Sequence, residues 1–203
     1  ASSDSLLDRD LRRAQLLAVQ AYRTDPTSLT RAALLRASLA SPALRRVIPF
    51  AGRISVVEPS AEGRFIGVGL ETGEVLSWDV AAAAPVSRLK LAQRVTALGI
   101  SDDGVTLAAV DGLSVAVTTA FGPAAVALPA GQQPRAVTVA PSGQGIVVGS
   151  DDGTQHRLTL VNLTTRSQDT VPDPLAVEGP GTAEVRFLDD RRVVIEGGTI
   201  VIA

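Results

Sequence analysis

Gly73, Gly112, Gly153 and Gly198 each lie between short apolar runs, and they are separated by 39, 41 and 45 residues. Ahead of each lies a second turn signal: PSAEG at 59–63, SDDG at 101–104, APSG at 140–143 and LDDRR at 188–192. Two turn signals recurring together define an internal repeat of about 40 residues. Within each unit, β-branched runs alternate with clusters of Gly, Pro, Asp and Ser, which is the pattern of several short strands.

The first unit, approximately 54–91, supplies strands at 54–58, 65–70, 74–80 and 86–91. The second, 95–130, supplies 95–100, 105–110, 114–119 and 124–128, and the third, 135–172, supplies 136–140, 146–149, 155–161 and 167–171. The fourth, 182–203, has strands at 184–188, 193–196 and 199–202 and stops after three. A four-stranded sheet with mixed rather than alternating hydrophobicity has two faces to cover, and radial stacking of such sheets covers both. The expected fold is therefore mainly β, with β-propeller-like four-stranded blades over 47–203.

The stretch SVVEPSAEGRFIGVGLETGEVLSWDV (55–80) contains the chain's only Trp, Trp78, followed by Asp79. It resembles a WD40 repeat, and AVTVAPSGQGIVVGSDDGTQHRLTL (136–160) resembles a second one that has lost its Trp-Asp pair. The resemblance implies a degenerate WD40-type propeller with Trp78, Asp79 and the four turn glycines as its repeat signature. No Gly-His dipeptide precedes a unit, and counting from the turn glycine gives Trp78 the counterpart Leu158 in unit three. The family's hydrogen-bonded His-Ser-Asp-Trp network is thus expected to be incomplete, with blade packing resting on Val, Ile, Leu and Ala.

Residues 1–46 differ in period and in charge. They carry eight Arg against four Asp, whereas 47–203 carry eleven basic and seventeen acidic residues. Leu7, Leu11, Ala14, Ala18 and Tyr22 recur at helical spacing, with Ser5 and Asp8 forming a weakened capping box. A second helix is expected after RTDPTS, capped by Asp25 with Pro26 at its first position. Its apolar face would be Leu29, Ala33, Leu35, Ala37 and Ala40, ending before Pro42. Together they make an N-terminal αα-hairpin. Such a segment ahead of drifted WD40 repeats is similar to large actinobacterial signalling proteins in which a STAND-type NTPase or related module precedes a propeller. No Walker motif occurs in the chain.

RRVIPF (45–50) is placed to supply the outer strand that unit four lacks, which would close a four-bladed ring. The competing expectation is part of a larger ring with two open edges, and open edges invite self-association.

Composition narrows the chemistry. Cysteine is absent, so the chain has no disulfide, thiolate metal site or Cys nucleophile, and His156 is the single imidazole. A formal net charge of -2 spread over 19 basic and 21 acidic side chains gives no nucleic-acid footprint. No apolar run spans a bilayer and no signal-peptide pattern opens the sequence, so cytoplasmic location is the default. A chain that opens on Ala and has no Met reads as a piece of something longer.

Few residues remain for a site. His156 is a general-base candidate that lies inside an expected strand, where it reads as structural. The pairs Asp102-Asp103, Asp151-Asp152 and Asp189-Asp190 could hold calcium or act as acid and base, but each falls in a turn that Asp suits by bonding its own backbone. Asn162-Leu163-Thr164 matches a glycosylation acceptor by pattern alone. Arg53 and Arg94 precede the first strands of their units, with Gln133 at the third and Arg135 beside it, and in a propeller those loops meet around one channel mouth. A polar or basic rim there suits an acidic peptide, against the alternative of scattered Arg.

The functional expectation is a non-enzymatic protein-protein interaction or sensor module of a larger regulatory protein, needing no cofactor or metal. A metal-dependent propeller hydrolase with acids in the channel and a structural adaptor joined through open sheet edges are the alternatives. The partner is a protein or peptide, with no nucleic acid and no membrane within this chain.

Overall fold

A computed structural model describes residues 10–41, 47–154, 156–172, 185–195 and 198–201. The chain divides into two compact units, 1–49 and 50–203.

The first unit is a helical hairpin of α1 (Leu11–Thr24) and α2 (Ser28–Leu39). Helix α1 is capped by Asp10, whose carboxylate accepts from the Arg13 N–H at 3.0 Å. The cap is therefore Asp10 and not Ser5, which lies outside the described residues together with Leu7 and Asp8. The expected cap of the second helix also moves. Thr27 and Thr30 form a reciprocal capping box, while Asp25 closes α1 by donating its N–H to the Ala21 carbonyl at 2.9 Å. Ala14 and Ala18 on α1 pack toward Ala37 on α2, and Gln15 Nε2 donates to the Ala37 carbonyl at 3.2 Å. The expected α2 face is only partly covered. Ala37 is buried and Ala33 half-buried, but Leu29, Leu35 and Ala40 are exposed; helices brought together over alanine leave the longer leucines outside.

Among its described residues the second unit contains four antiparallel sheets, each in sequential strand order. Blade one is β1 (Ile54–Pro59), β2 (Phe65–Leu70), β3 (Glu74–Asp79) and β4 (Ala84–Lys90). Blade two is β5 (Ala97–Ile100), β6 (Leu107–Val110), β7 (Val115–Thr119) and β8 (Gly122–Ala124). Blade three is β9 (Gln133–Val139), β10 (Gly145–Asp151), β11 (His156–Asn162) and β12 (Ser167–Pro172), and blade four is β13 (Val185–Asp189), β14 (Arg192–Ile195) and β15 (Gly198–Val201).

Alternation along the second strands builds the core. On β6, Leu107 and Ala109 face blade one, where they join Phe65, Val75, Leu91, Val95, Leu98 and Ile100. The intervening Ala108 and Val110 face blade three, joining Val117, Val137, Val139, Ile146, Val148 and Val161. Val147 turns the other way, to Leu158, Val185 and Val193. Such strands are apolar on both sides because both sides are buried. The three layers join blade one to two, two to three and three to four; among the described residues none joins four back to one. Val47–Phe50 carries no strand, and Arg45 and Arg46 of the expected clasp lie outside the described residues.

The turn between first and second strands repeats closely. Gly63, Gly104 and Gly143 have φ of 68°, 72° and 73°, and each donates its N–H to the carbonyl three residues back. Adjacent turns are stapled together: the Ala61 N–H donates to Asp102 Oδ1 at 2.8 Å, and the Ser142 N–H to Asp190 Oδ1 at 2.9 Å. The fourth strand of blade two is shorter than expected. It stops at Ala124, and the backbone of Ala127 is instead held by the side-chain amide of Gln168 on β12, which substitutes for a strand neighbour on both its N–H and its carbonyl.

Candidate interaction rim

Antiparallel strands alternate in direction, so the two kinds of turn leave a blade at opposite ends. Turns between first and second and between third and fourth strands share one face. Turns between second and third strands share the other face with the connections between blades. Arg53, immediately before β1, Arg94, between β4 and β5, and Gln133 and Arg135, the first and third residues of β9, belong to this second face.

The structure gives each of them a different neighbourhood. The Arg53 guanidinium lies 3.8 Å from Glu71 in the second-to-third-strand turn of its own blade, with 86% of its side chain exposed. Arg94 is exposed and forms no ion pair with a described residue. Arg135 Nε donates to Asp151 Oδ2 at 2.7 Å, and Arg135 Nη2 to Gln133 Oε1 at 3.1 Å. The Arg135 hydrogen bond holds Asp151 below the usual carboxylate range, against its partial burial, with help from the Gly153 N–H and the charge of His156. Gln133 and Arg135 are thus brought together around Asp151, whereas Arg53 is tied within its own blade.

The acid pairs divide their work. Asp103 Oδ1 serves its own turn, accepting from the Val105 N–H at 2.9 Å and Ser101 Oγ at 2.5 Å, while Asp102 reaches the next blade. Asp189 binds Arg192 at 2.7 Å and Asp190 reaches Ser142. Asp151 and Asp152 both reach the rim, Asp152 by accepting from Gln132 Nε2 at 3.0 Å. Among the described residues no group of three His, Cys, Asp or Glu is arranged to hold a metal ion. His156 is half-buried, paired across the ladder with Asp151.

Asp111 was invisible as a site residue in the sequence. It is buried in the second-to-third-strand turn of blade two and accepts from the Leu113 N–H at 3.0 Å, the Ser114 N–H at 2.8 Å and Ser114 Oγ at 3.1 Å. Burial raises its pKa, but these donors and the backbone of Gln93 outweigh that and keep it low. Because Gln93 belongs to the connection carrying Arg94, Asp111 fixes that loop. The adjacent Asp-Gly turn was the one available signal.

Trp78 and Asp79 lie at the other end of blade one. Asp79 is buried and accepts from the Ala81 and Ala82 N–H groups at 2.8 Å each and from Arg64 Nη2 at 3.1 Å. The Trp78 ring meets Phe50 edge-on with centroids 5.9 Å apart, and its indole N–H has no partner among the described residues. The counterpart of Trp78 is Val161, not Leu158: Trp78 pairs with Ile66 and Val161 with Ile146, whose partners on the first strands are Pro59 and Val139. The β10–β11 ladder runs farther toward its turn, so counting from the glycine misplaces the register by three residues. Gly198 stands within a strand. It is the first residue of β15, paired opposite Ile195, and residues 196 and 197 lie outside the described set.

Sequential four-stranded blades, stacked face to face through apolar layers and offering their loops at two ends, define a propeller-type β fold. No family model matches the chain, and no curated protein matches it. Solved structures do. The chain is similar to U3-55K at TM-score 0.55 and 14% identity over 77% of this chain, and to the WD40 repeats of RRP9 at TM-score 0.55 and 14% identity over 77%. The β-propeller domain of Myceliophteria thermophila Cps50 (Swd1) gives TM-score 0.54 and 16% identity over 74%. The matched part covers 54%, 53% and 50% of those chains respectively, so this chain spans about half their length. The likeness is to WD40 β-propellers, and at these identities it is one of fold.

Proposed function

We propose that the blades form a non-enzymatic platform that grips a protein or peptide through the loops of the connection face, within a larger regulatory or signalling protein. The observation that carries this reading is the placement of Arg53, Arg94, Gln133 and Arg135 from three successive blades on one face, held by ladders and by buried Asp111. Function resides in such a site and not in the fold itself. Glu71 and Asp151 partly neutralise Arg53 and Arg135, so Arg94 is the cation that a carboxylate of the partner engages. Contacts of this kind weaken with salt.

The reading is tested by fluorescence anisotropy with a labelled Glu-rich peptide and a Lys-rich peptide of equal length. The Glu-rich peptide binds, binding falls as salt rises, and Arg53→Ala with Arg94→Ala abolishes it. Equal binding of both peptides, or an unaffected double variant, ends the rim reading.

A further inference from the structure

The residue after the turn glycine is polar in blades one and three and apolar in blade two. Glu74 lies 4.0 Å from Arg88, and Thr154 Oγ1 donates to Asp152 Oδ1 at 2.6 Å, so each is engaged inside its own blade. Leu113 stands at the same place and is 65% exposed. The turn itself does not call for a leucine. Asp111 uses only the N–H of residue 113, which any residue but proline supplies. A single apolar side chain on a surface is ordinary; what sets Leu113 apart is its neighbour.

Arg94 is held beside it from two sides. The connection from β4 to β5 buries Leu91 and Val95 and exposes the residues between them. Toward blade one, the Leu91 N–H donates to the Gly73 carbonyl at 2.9 Å and the Val95 N–H to the Leu70 carbonyl at 3.4 Å. Toward blade two, the Thr96 N–H donates to the Val110 carbonyl at 2.7 Å, and the Gln93 backbone bonds to the Asp111 carboxylate. Gln93 and Leu113 are therefore tied to the same buried carboxylate, and Arg94 follows Gln93 directly. A cation without an ion pair among the described residues and an exposed apolar side chain thus share one fixed edge of the rim. The distance between them is that of a few residues of extended peptide, at ~3.3 Å each.

We propose that this edge reads a pair of side chains, a carboxylate and a large apolar group a few residues apart in an extended peptide. Arg94 takes the carboxylate and Leu113 takes the apolar group. The inference rests on the rim reading above and adds the apolar half of the ligand. Arg53 and Arg135, beside Glu71 and Asp151, draw acidic segments toward the face without telling them apart. Leu113 supplies the discrimination, because covering an apolar side chain against it is worth about tenfold in affinity and a serine in the ligand gains nothing there. Both groups are positioned by backbone bonds before the peptide arrives, which lowers the ordering cost of binding.

Fluorescence anisotropy compares labelled peptides in a Gly-Ser background: one with Glu and Leu two positions apart, one with that Leu replaced by Ser, and one with the Glu replaced by Gln. The Glu-Leu peptide binds about tenfold more tightly than the Glu-Ser peptide. Leu113→Ala brings these two to equal affinity, Leu113→Met keeps the preference, and both variants retain the urea midpoint of the parent. Raised salt weakens both acidic peptides alike. If the acidic peptides bind through Arg94 but with equal affinity, or if Leu113→Ala weakens both equally, the apolar contact is refuted and the rim stands. If replacing Glu by Gln changes nothing, the rim reading falls and this inference falls with it.

Discussion

Asp79 and Asn162 occupy the same place in blades one and three. Each ends a third strand, and each accepts the N–H groups two and three residues ahead, at 2.8 and 2.8 Å for Asp79 and 2.9 and 3.0 Å for Asn162. In blade two the place belongs to Thr119, whose hydroxyl accepts from the Phe121 N–H at 3.1 Å. One side-chain oxygen closing the turn is what the three residues share. The acid of the Trp-Asp pair is thus a turn residue that adds a bond to Arg64, and the pattern match at Asn162 is explained by the same turn.

Asp79→Asn keeps the turn acceptor and loses only the charge pairing with Arg64, so it lowers the urea midpoint slightly. Asp79→Ala removes both and lowers it more than Asn162→Ala does, because Asp79 is buried and Asn162 exposed. Equal effects of the two alanine variants would contradict this account.

Gly73, Gly112 and Gly153 have φ of 85°, 86° and 87°, but their surroundings differ. A Cβ at Gly73 would stand 2.4 Å from the Gln93 carbonyl oxygen, whereas at Gly112 and Gly153 nothing lies within 4 Å. Gly112→Ala and Gly153→Ala should each cost about 1–2 kcal/mol, the left-handed backbone term alone. Gly73→Ala should cost clearly more, since backbone must move. Equilibrium unfolding of the three variants separates the two contributions.

Leu107 is fully buried between blades one and two. Leu107→Ala should destabilise by about 2–5 kcal/mol through lost transfer energy and the cavity left behind. Leu113→Ala, at an exposed turn, should change stability by less than about 0.5 kcal/mol. Chemical denaturation of both variants checks the contrast.

The folded-state pKa of Asp111 lies below its ordinary value of 3.8. A carboxylate held low contributes stability that is fully present above the unfolded pKa and is lost as pH falls through the folded one. Stability should therefore decline on acidification below about pH 4, and Asp111→Asn should flatten part of that decline. An unchanged acid limb in thermal melts of the variant would remove Asp111 from the explanation.

Asp111 also shows how the rim escapes a reading of the sequence. Its Asp-Gly turn is local and legible, but its link to the loop before β5 depends on two blades folding side by side. Arg135 is similar. Its position at the head of a unit can be counted, whereas its ion pair with Asp151 follows from β9 and β10 being ladder neighbours.

Among the described residues, the sequential strand order of the blades and the turn glycines at 73, 112 and 153 were determined by the sequence, because turn chemistry and runs of β-branched residues act over a few residues. Register was decided by the tertiary structure. Ladder pairing, and not distance from a glycine, set Val161 opposite Ile146 and made it the counterpart of Trp78. Packing likewise chose Ala14, Ala18 and Ala37 over the leucines for the helical hairpin, since helices approach most closely where side chains are smallest. Both are contacts between segments far apart in sequence, and local pattern does not encode them.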